Sequence, residues 1–289
     1  MTIRILPKER VKETAQRVWS LVQHADARCY PLVKSAADFE RTLTWALEDD
    51  SGRARSCWKG RELLGVCCLF VNEEERYAQL IALYAWDRFR PVADAFLNWI
   101  DEAYPAFTID AGVSGENARL SDALARHGYR IADDCLDLRH PLPAGDGLAC
   151  EDEEGIALLE KGPLGAYAAL HDAWFPGLYW NAKRLSETSD GWAVLTARQD
   201  GEITGAILLI FGKELAEVYG LHAADVAMAR ALLSAALAYC SEEAKGVGSL
   251  LFMAEAADEP CVRAALACGF LQMGRYVGWR KTPCHDRDD

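Results

Sequence analysis

At 289 residues the chain is about twice a common domain size, and roughly half of it is apolar, so two separate cores are the starting expectation. The net charge of −13 argues against a general nucleic-acid or anionic-membrane binder. Residues 1–142 hold 19 Lys and Arg against 22 Asp and Glu, and residues 143–289 hold 12 against 22, so the first half is the better host for a polyanion.

In chain order, residues 3–6 read as a short strand and residues 11–22 as an amphipathic helix, with Val11, Ala15, Val18, Trp19 and Val22 on one side. Ser35 then caps a second helix whose apolar side is Phe39, Leu43 and Leu47. Residues 53–58 and 62–70 form a hairpin about Lys59-Gly60. Residues 80–84 are an apolar run of strand length. The run turns through Asp87-Arg88-Phe89-Arg90-Pro91 into a helix with Val92, Phe96, Leu97 and Ile100 inward. Arg88 and Arg90 thus precede a helix N-terminus, where partial positive charge and unpaired N–H groups suit a phosphate. Solvated loop arginines are the plainer alternative. A strand at 107–111, a helix at 117–126, Gly128 as C-cap and a strand at 129–138 complete the unit.

Residues 141–155, rich in Pro, Gly and acids, read as a linker. The order then begins again: a strand at 156–159, helices at 164–174 and 181–185, and a hairpin about Asp200-Gly201. A strand at 215–221, a helix at 226–239, a strand at 249–254, a helix at 260–267 and a strand at 270–280 follow. Gly60-Arg61-Glu62-Leu63-Leu64-Gly65 answers to Gly201-Glu202-Ile203-Thr204-Gly205, and ALARHGYRIADDCLDLRH answers to AALACGFLQMGRYVGWRK, both at a spacing of about 140 residues. A period this long means two copies of one domain, residues 1–140 and 156–283.

Ten cysteines are present, none in a C-x-x-C pair and none with a histidine cluster, so no metal site is expected and the thiols read as buried and free in a reducing compartment. The charged N-terminal stretch is unlike a signal peptide and no apolar run approaches membrane-spanning length, which points to a cytoplasmic protein without a membrane or nucleic-acid partner. The six histidines are scattered and fall into no Ser-His-Asp or Cys-His pattern.

The order strand, two helices, three-strand meander, helix, strand, helix, strand, closing on a Gly-aromatic pair, resembles the GCN5-related N-acetyltransferase (GNAT) family twice over. The resemblance implies an α+β fold of two tandem GNAT-like domains, each with a mostly antiparallel mixed sheet flanked by helices. It also implies transfer of an acetyl group from acetyl-CoA to a small-molecule or peptide amine. In that family the fourth strand runs into a Q/R-x-x-G-x-G/A loop that holds the pyrophosphate. Arg88 and Ala93 fit this pattern, and Pro91 stands where a glycine belongs. Asn117, eleven residues before Gly128, matches a family asparagine, and a plain helix cap is its other reading.

The resemblance therefore implies that the first unit binds acetyl-CoA through Leu83, Tyr84, Arg88, Arg90, Val92, Ala93 and Asn117. The second unit has no glycine or basic residue in its loop, and Asp225 and Asp258 stand at the two helix starts, so it reads as degenerate for the cofactor. It does carry Glu217 where several members have a general base, while the first unit has Gln79. The family's tyrosine acid is replaced by Leu124 and Ala265. The aromatic cluster with Trp174, Tyr179 and Trp180 borders the acceptor pocket in such folds, or is core packing. A second function stays open beside the enzyme: a non-catalytic GNAT-fold protein that binds a small molecule or a protein partner.

Overall fold

The structure is a computed structural model that describes residues 1–142, 155–159, 164–176, 180–188, 190–212, 215–243 and 246–283. The linker expected at 141–155 and the C-terminal tail lie largely outside these residues. The chain divides into two compact units, Met1–Asp134 with Arg275–Asp289, and Cys135–Gly274.

Unit 1 contains β1 (Thr2–Ile5), α1 (Val11–Val22), β2 (Cys29–Tyr30), α2 (Ala36–Glu48), β3 (Gly52–Lys59), β4 (Glu62–Asn72), β5 (Tyr77–Ala85), α3 (Phe89–Ala103), β6 (Thr108–Ser114) and α4 (Ala118–Arg126). The next strand, β7 (Arg130–Pro141), begins in unit 1 and ends in unit 2. Strands β1, β3, β4 and β5 pair antiparallel in that order, and β5 pairs parallel with β6. Helix α3 lays Val92, Ala93, Phe96, Leu97 and Ile100 on the sheet, all fully buried, as their helical spacing requires. The Ser35 side chain caps α2 by accepting from the Asp38 N–H at 3.0 Å.

Unit 2 repeats the plan with β8 (Ile156–Leu158), α5 (Ala166–Trp174), α6 (Ala182–Glu187), β9 (Trp192–Gln199), β10 (Glu202–Phe211), β11 (Leu215–His222), α7 (Val226–Glu243), β12 (Ser249–Glu255) and α8 (Glu259–Ala267). Strands β8, β9, β10 and β11 pair antiparallel, and β11 pairs parallel with β12. Helix α7 buries Ala229, Leu232, Leu233, Ala236, Leu237 and Cys240.

The last strands differ from the sequence expectation, which keeps each with its own copy. Residues 276–281 of β13 (Leu271–Lys281) pair antiparallel with β6 and complete the sheet of unit 1. Residues 135–141 of β7 pair antiparallel with β12 and complete the sheet of unit 2. The two closing strands are therefore exchanged between the copies.

The repeated glycines have a packing reason. A Cβ on Gly65 would lie 2.5 Å from the Tyr84 carbonyl oxygen and 2.8 Å from a Val92 methyl. A Cβ on Gly205 would meet the Met228 sulfur at 2.6 Å. Both glycines let the first turn of the following helix approach the sheet. Gly65→Ala is expected to cost about 2 kcal/mol, because backbone cannot yield. Gly205→Ala should cost less, because the Met228 thioether can swing away. Denaturant melts of the two variants check the order.

Candidate functional site

Each unit has a fork in its sheet, built by one extra residue. In unit 1 Cys68 faces Ala82 while Leu69 faces Leu80, so Ile81 is a bulge. In unit 2 Leu208 faces Gly220 while Leu209 faces Val218, so Tyr219 is the bulge. A bulge bends its strand and ends pairing. Accordingly the parallel ladders stop at Leu80↔Ala111 and at Val218↔Phe252, and the strand ends beyond them diverge.

In unit 1 the fork is filled by the chain itself. Cys29 and Tyr30 pair antiparallel with Val113 and Gly112 on one arm. The Cys29 thiol reaches the Leu83 carbonyl on the other arm, Sγ to O 3.8 Å. The Arg28 carbonyl accepts from the Ser114 N–H and from Asn117 Nδ2, both at 3.2 Å.

Of the residues expected to hold acetyl-CoA, five are buried and the two arginines are exposed. Leu83 and Tyr84 are buried, the Tyr84 ring edge-on to Phe39 at 5.6 Å. Val92 and Ala93 are buried on the sheet-facing side of α3. Asn117 is also buried: its Oδ1 accepts from the Leu120 N–H at 3.2 Å as the cap of α4, and its amide holds Arg28. Both the cap reading and a second, unforeseen role thus apply to this residue.

Arg88 is half exposed in left-handed backbone at φ 50°, with its N–H donated to Asp87 Oδ1 at 2.8 Å and its Nε 3.5 Å from Asp87 Oδ2. An exposed pair of this kind contributes little. Arg90 is exposed in the first turn of α3. A third guanidinium, Arg119, lies over the Phe89 ring at 5.1 Å. Its place two residues after Asn117 was the available signal for it, so the mouth of this filled fork is basic. Trp86 is a lid on the sheet: its indole N–H donates to the Leu63 carbonyl at 2.7 Å.

In unit 2 the fork opens on a cavity of about 410 Å³ between the end of β11, the first turn of α7 and the start of α8. Its lining includes His222, Ala224, Asp225, Asp258 and Cys261. Asp225 accepts from the Met228 N–H at 2.8 Å and Asp258 from the Cys261 N–H at 3.1 Å, so both carboxylates cap helices and both add negative charge at the mouth.

On β11, Ala216 and Val218 join the core beneath α7, so alternation places Glu217 on the opposite face, the side of α5 and α6. Glu217 is partly buried, and that burial raises its carboxyl above the ordinary range. The fully folded protein thus disfavours the ionised form, and stability is lost as pH rises above the unfolded carboxyl value. Glu217→Gln should therefore raise the melting temperature at about pH 8 and leave it unchanged near about pH 3, where the carboxyl is protonated folded and unfolded alike. Thermal melts at the two pH values check this.

The same face carries aromatic rings. Trp174 stacks on His222 with centroids 4.1 Å apart and planes at 10°, and partial burial lowers the His222 pKa, favouring the neutral ring. A Cβ on Gly220 would lie 3.0 Å from the Phe175 ring, so the ring sits directly over the strand just beyond the bulge. The Trp180 carbonyl accepts from His171 Nε2 at 2.8 Å, and His171 Nδ1 lies 3.0 Å from the Tyr167 hydroxyl, a buried pin between α5 and α6. Trp180 itself packs partly buried against the neighbouring core. Tyr179 lies outside the described residues. Thus Trp174 is brought to the same face as Glu217, and His222, which the sequence places at a strand end as either a site or a surface histidine, is added to it.

No family model matches the chain and no curated protein sequence matches it. Solved structures do match. A tandem GNAT protein from the clavulanic acid biosynthesis pathway superposes with a TM-score of 0.56 at 15% identity, over 97% of this chain and 98% of that one. A GCN5-related N-acetyltransferase from Sphaerobacter thermophilus does so at 0.64 and 19% identity, over 97% and 95%. A GCN5-related glucosamine N-acetyltransferase region of a fungal multi-domain β-N-acetylglucosaminidase gives 0.61 at 13% identity, over 97% of this chain and 38% of that one. Near-complete coverage together with the doubled order of strands and helices identifies the fold: the chain has the tandem GNAT fold.

Proposed function

We propose that the chain is an acyl-CoA-dependent N-acyltransferase that works through unit 2, carrying an acetyl group from acetyl-CoA to an amine. One observation carries the reading. The fork of unit 2 opens on a cavity of about 410 Å³, with a partly buried carboxyl on the adjoining strand, whereas the fork of unit 1 is filled. Backbone N–H groups at the start of α7 would meet the diphosphate. Asp225 and Asp258 oppose it, so weak donor affinity is part of the proposal.

Glu217 is the base. It takes a proton from the acceptor ammonium, directly or through one water, and the free amine attacks the thioester carbonyl. The C–N bond forms, the C–S bond breaks, and the second nitrogen proton passes to the departing thiolate, so that CoA leaves as the thiol. A thiol of ordinary acidity, with a pKa of about 8.5, leaves without a protein acid, which accommodates Leu124 and Ala265. Trp174 and Trp180 would line the acceptor side, where ring faces suit an apolar or cationic amine.

Calorimetry of the intact protein with acetyl-CoA tests the reading. Ala224 is exposed and lines the cavity, so Ala224→Trp fills the space without entering the core. Binding by the wild type that this variant abolishes, and that Arg88→Ala with Arg90→Ala does not weaken, is the expected result. No heat of binding with the wild type would remove the proposal. The acidic mouth and the filled fork favour the second reading, a GNAT-fold protein that binds a different small molecule or a partner without catalysis. A ligand in the unit 2 cavity that is not a CoA species would decide for it.

A further inference from the structure

Residues 28–30 fill the unit 1 fork with a ladder of two residues along β6. The strand has two residues, below the length at which strands usually stand alone. Its carbonyl anchor is Arg28, held by one backbone N–H and by Asn117 Nδ2. The Arg28 side chain turns away and donates to the Val22 carbonyl at 2.9 Å and the Gln23 carbonyl at 3.4 Å, just past the end of α1. Tyr30 meets the Tyr276 ring edge-on at 5.1 Å.

Beside the segment, towards α1, a cavity of about 140 Å³ is lined by Trp19, Val22, Arg28, Cys29, Leu32 and Val33. That space adjoins the occupant on its α1 side, while the fork between β5 and β6 is itself filled. Its mouth carries Arg88, Arg90 and Arg119, charges that neither the segment nor the sheet needs. Among the described residues, their pairing with carboxylates is limited to the exposed, long contact of Arg88 with Asp87.

We propose that residues 28–30 are a built-in occupant of the unit 1 fork, and that displacing them opens a second acyl-thioester site whose diphosphate rests on Arg88, Arg90 and Arg119. The inference rests on the reading that this fold takes acyl-CoA. It assigns unit 1 a closed state with the cations already in place, and unit 2 the open state without them. Asn117 is the latch: one side chain caps α4 and holds the occupant by its carbonyl.

Asn117→Asp separates these two jobs. The aspartate keeps an acceptor for the Leu120 N–H and is itself a good cap, but it turns an acceptor towards the Arg28 carbonyl. Arg28→Ala is the second variant and leaves α4 untouched. Release is read on Cys29, which is 2% exposed with its thiol pushed up to about 11 by burial. Alkylation by iodoacetamide, mapped by peptide mass, is compared with that of Cys68, which is fully buried and, as the neighbour of Cys67 on β4, points to the other face of the sheet.

The expected result is Cys29 alkylation about tenfold faster or more in both variants with Cys68 unchanged, the mark of local rather than global opening. Calorimetry should then find one more acetyl-CoA per chain than in the wild type, lost again when Arg88→Ala and Arg90→Ala are added. Cys29 freed with no added acetyl-CoA would overturn the proposal, and so would a Cys29 as protected in both variants as in the wild type. One acetyl-CoA in wild type and variants alike removes this inference and keeps unit 2. None in the wild type and one in the variants supports this inference and removes unit 2.

Discussion

Glu217→Gln is expected to lower kcat/KM for the acceptor amine by about a hundredfold or more, the usual worth of a positioned general base. Glutamine matches the carboxylate in size and cannot take a proton, so the loss should fall on kcat with KM little changed. Burial raises the Glu217 carboxyl, so the acid limb of the wild-type profile should lie above the ordinary carboxylate range. That limb should vanish in the variant. His222, whose pKa is lowered by burial, would be the competing base, and its own limb would survive Glu217→Gln. A variant with undiminished kcat/KM and an unchanged pH profile would make Glu217 a structural residue, and the raised stability expected at high pH would then be its whole effect.

What could be read in the sequence was local. The α3 stripe of Val92, Phe96, Leu97 and Ile100 and the caps at Ser35 and Asn117 are properties of a few neighbouring residues, and the structure carries them as expected. The doubled glycines were legible too, because a missing Cβ leaves the same mark wherever a helix crowds a strand. The state of the fork was not legible. Cys29 and Tyr30 show no alternation over two residues, and their partners Val113 and Gly112 lie more than eighty positions away. Arg88 and Arg90 announced a diphosphate through charge and a helix start, but the space behind them depends on that distant pairing. Asn117 had two local readings, and its bond to the Arg28 carbonyl belongs to neither.

The contrast between the two mouths has a physical consequence. Unit 1 joins a basic mouth to a filled fork, and unit 2 joins an acidic mouth to an open one. Charge draws a diphosphate over several ångströms, but it gives no binding if the pantetheine arm has nowhere to lie. An open fork can still bind weakly through backbone donors. Under the proposed function, steric access would decide between the units and charge would set the affinity.

Truncation after Gly274 is expected to unfold unit 1 and spare unit 2, although the deletion falls at the far end of the second sequence copy. The lost residues include Val277 and Trp279, 9% and 8% exposed, both part of the unit 1 core. They also include Arg280, bidentate on Asp110 at 2.7 Å, and Lys281, 2.6 Å from Asp101 and over the Tyr129 ring at 5.6 Å. Six ladder positions along β6 lose their partners at the same time. Loss of a buried tryptophan alone costs about 3–5 kcal/mol, comparable with the about 5–15 kcal/mol that holds a whole domain folded. The equivalence of the two closing strands explains why sequence could not assign them: each ends a helix, Gly-aromatic, strand run, and either would fit either sheet edge. Hydrogen exchange reports on the two units separately. In the truncated protein the amides of β6 and α3 should exchange freely, while those of β11 and β12 stay protected. Protection kept in β6 and lost in β12 would mean that the closing strands are not exchanged in solution.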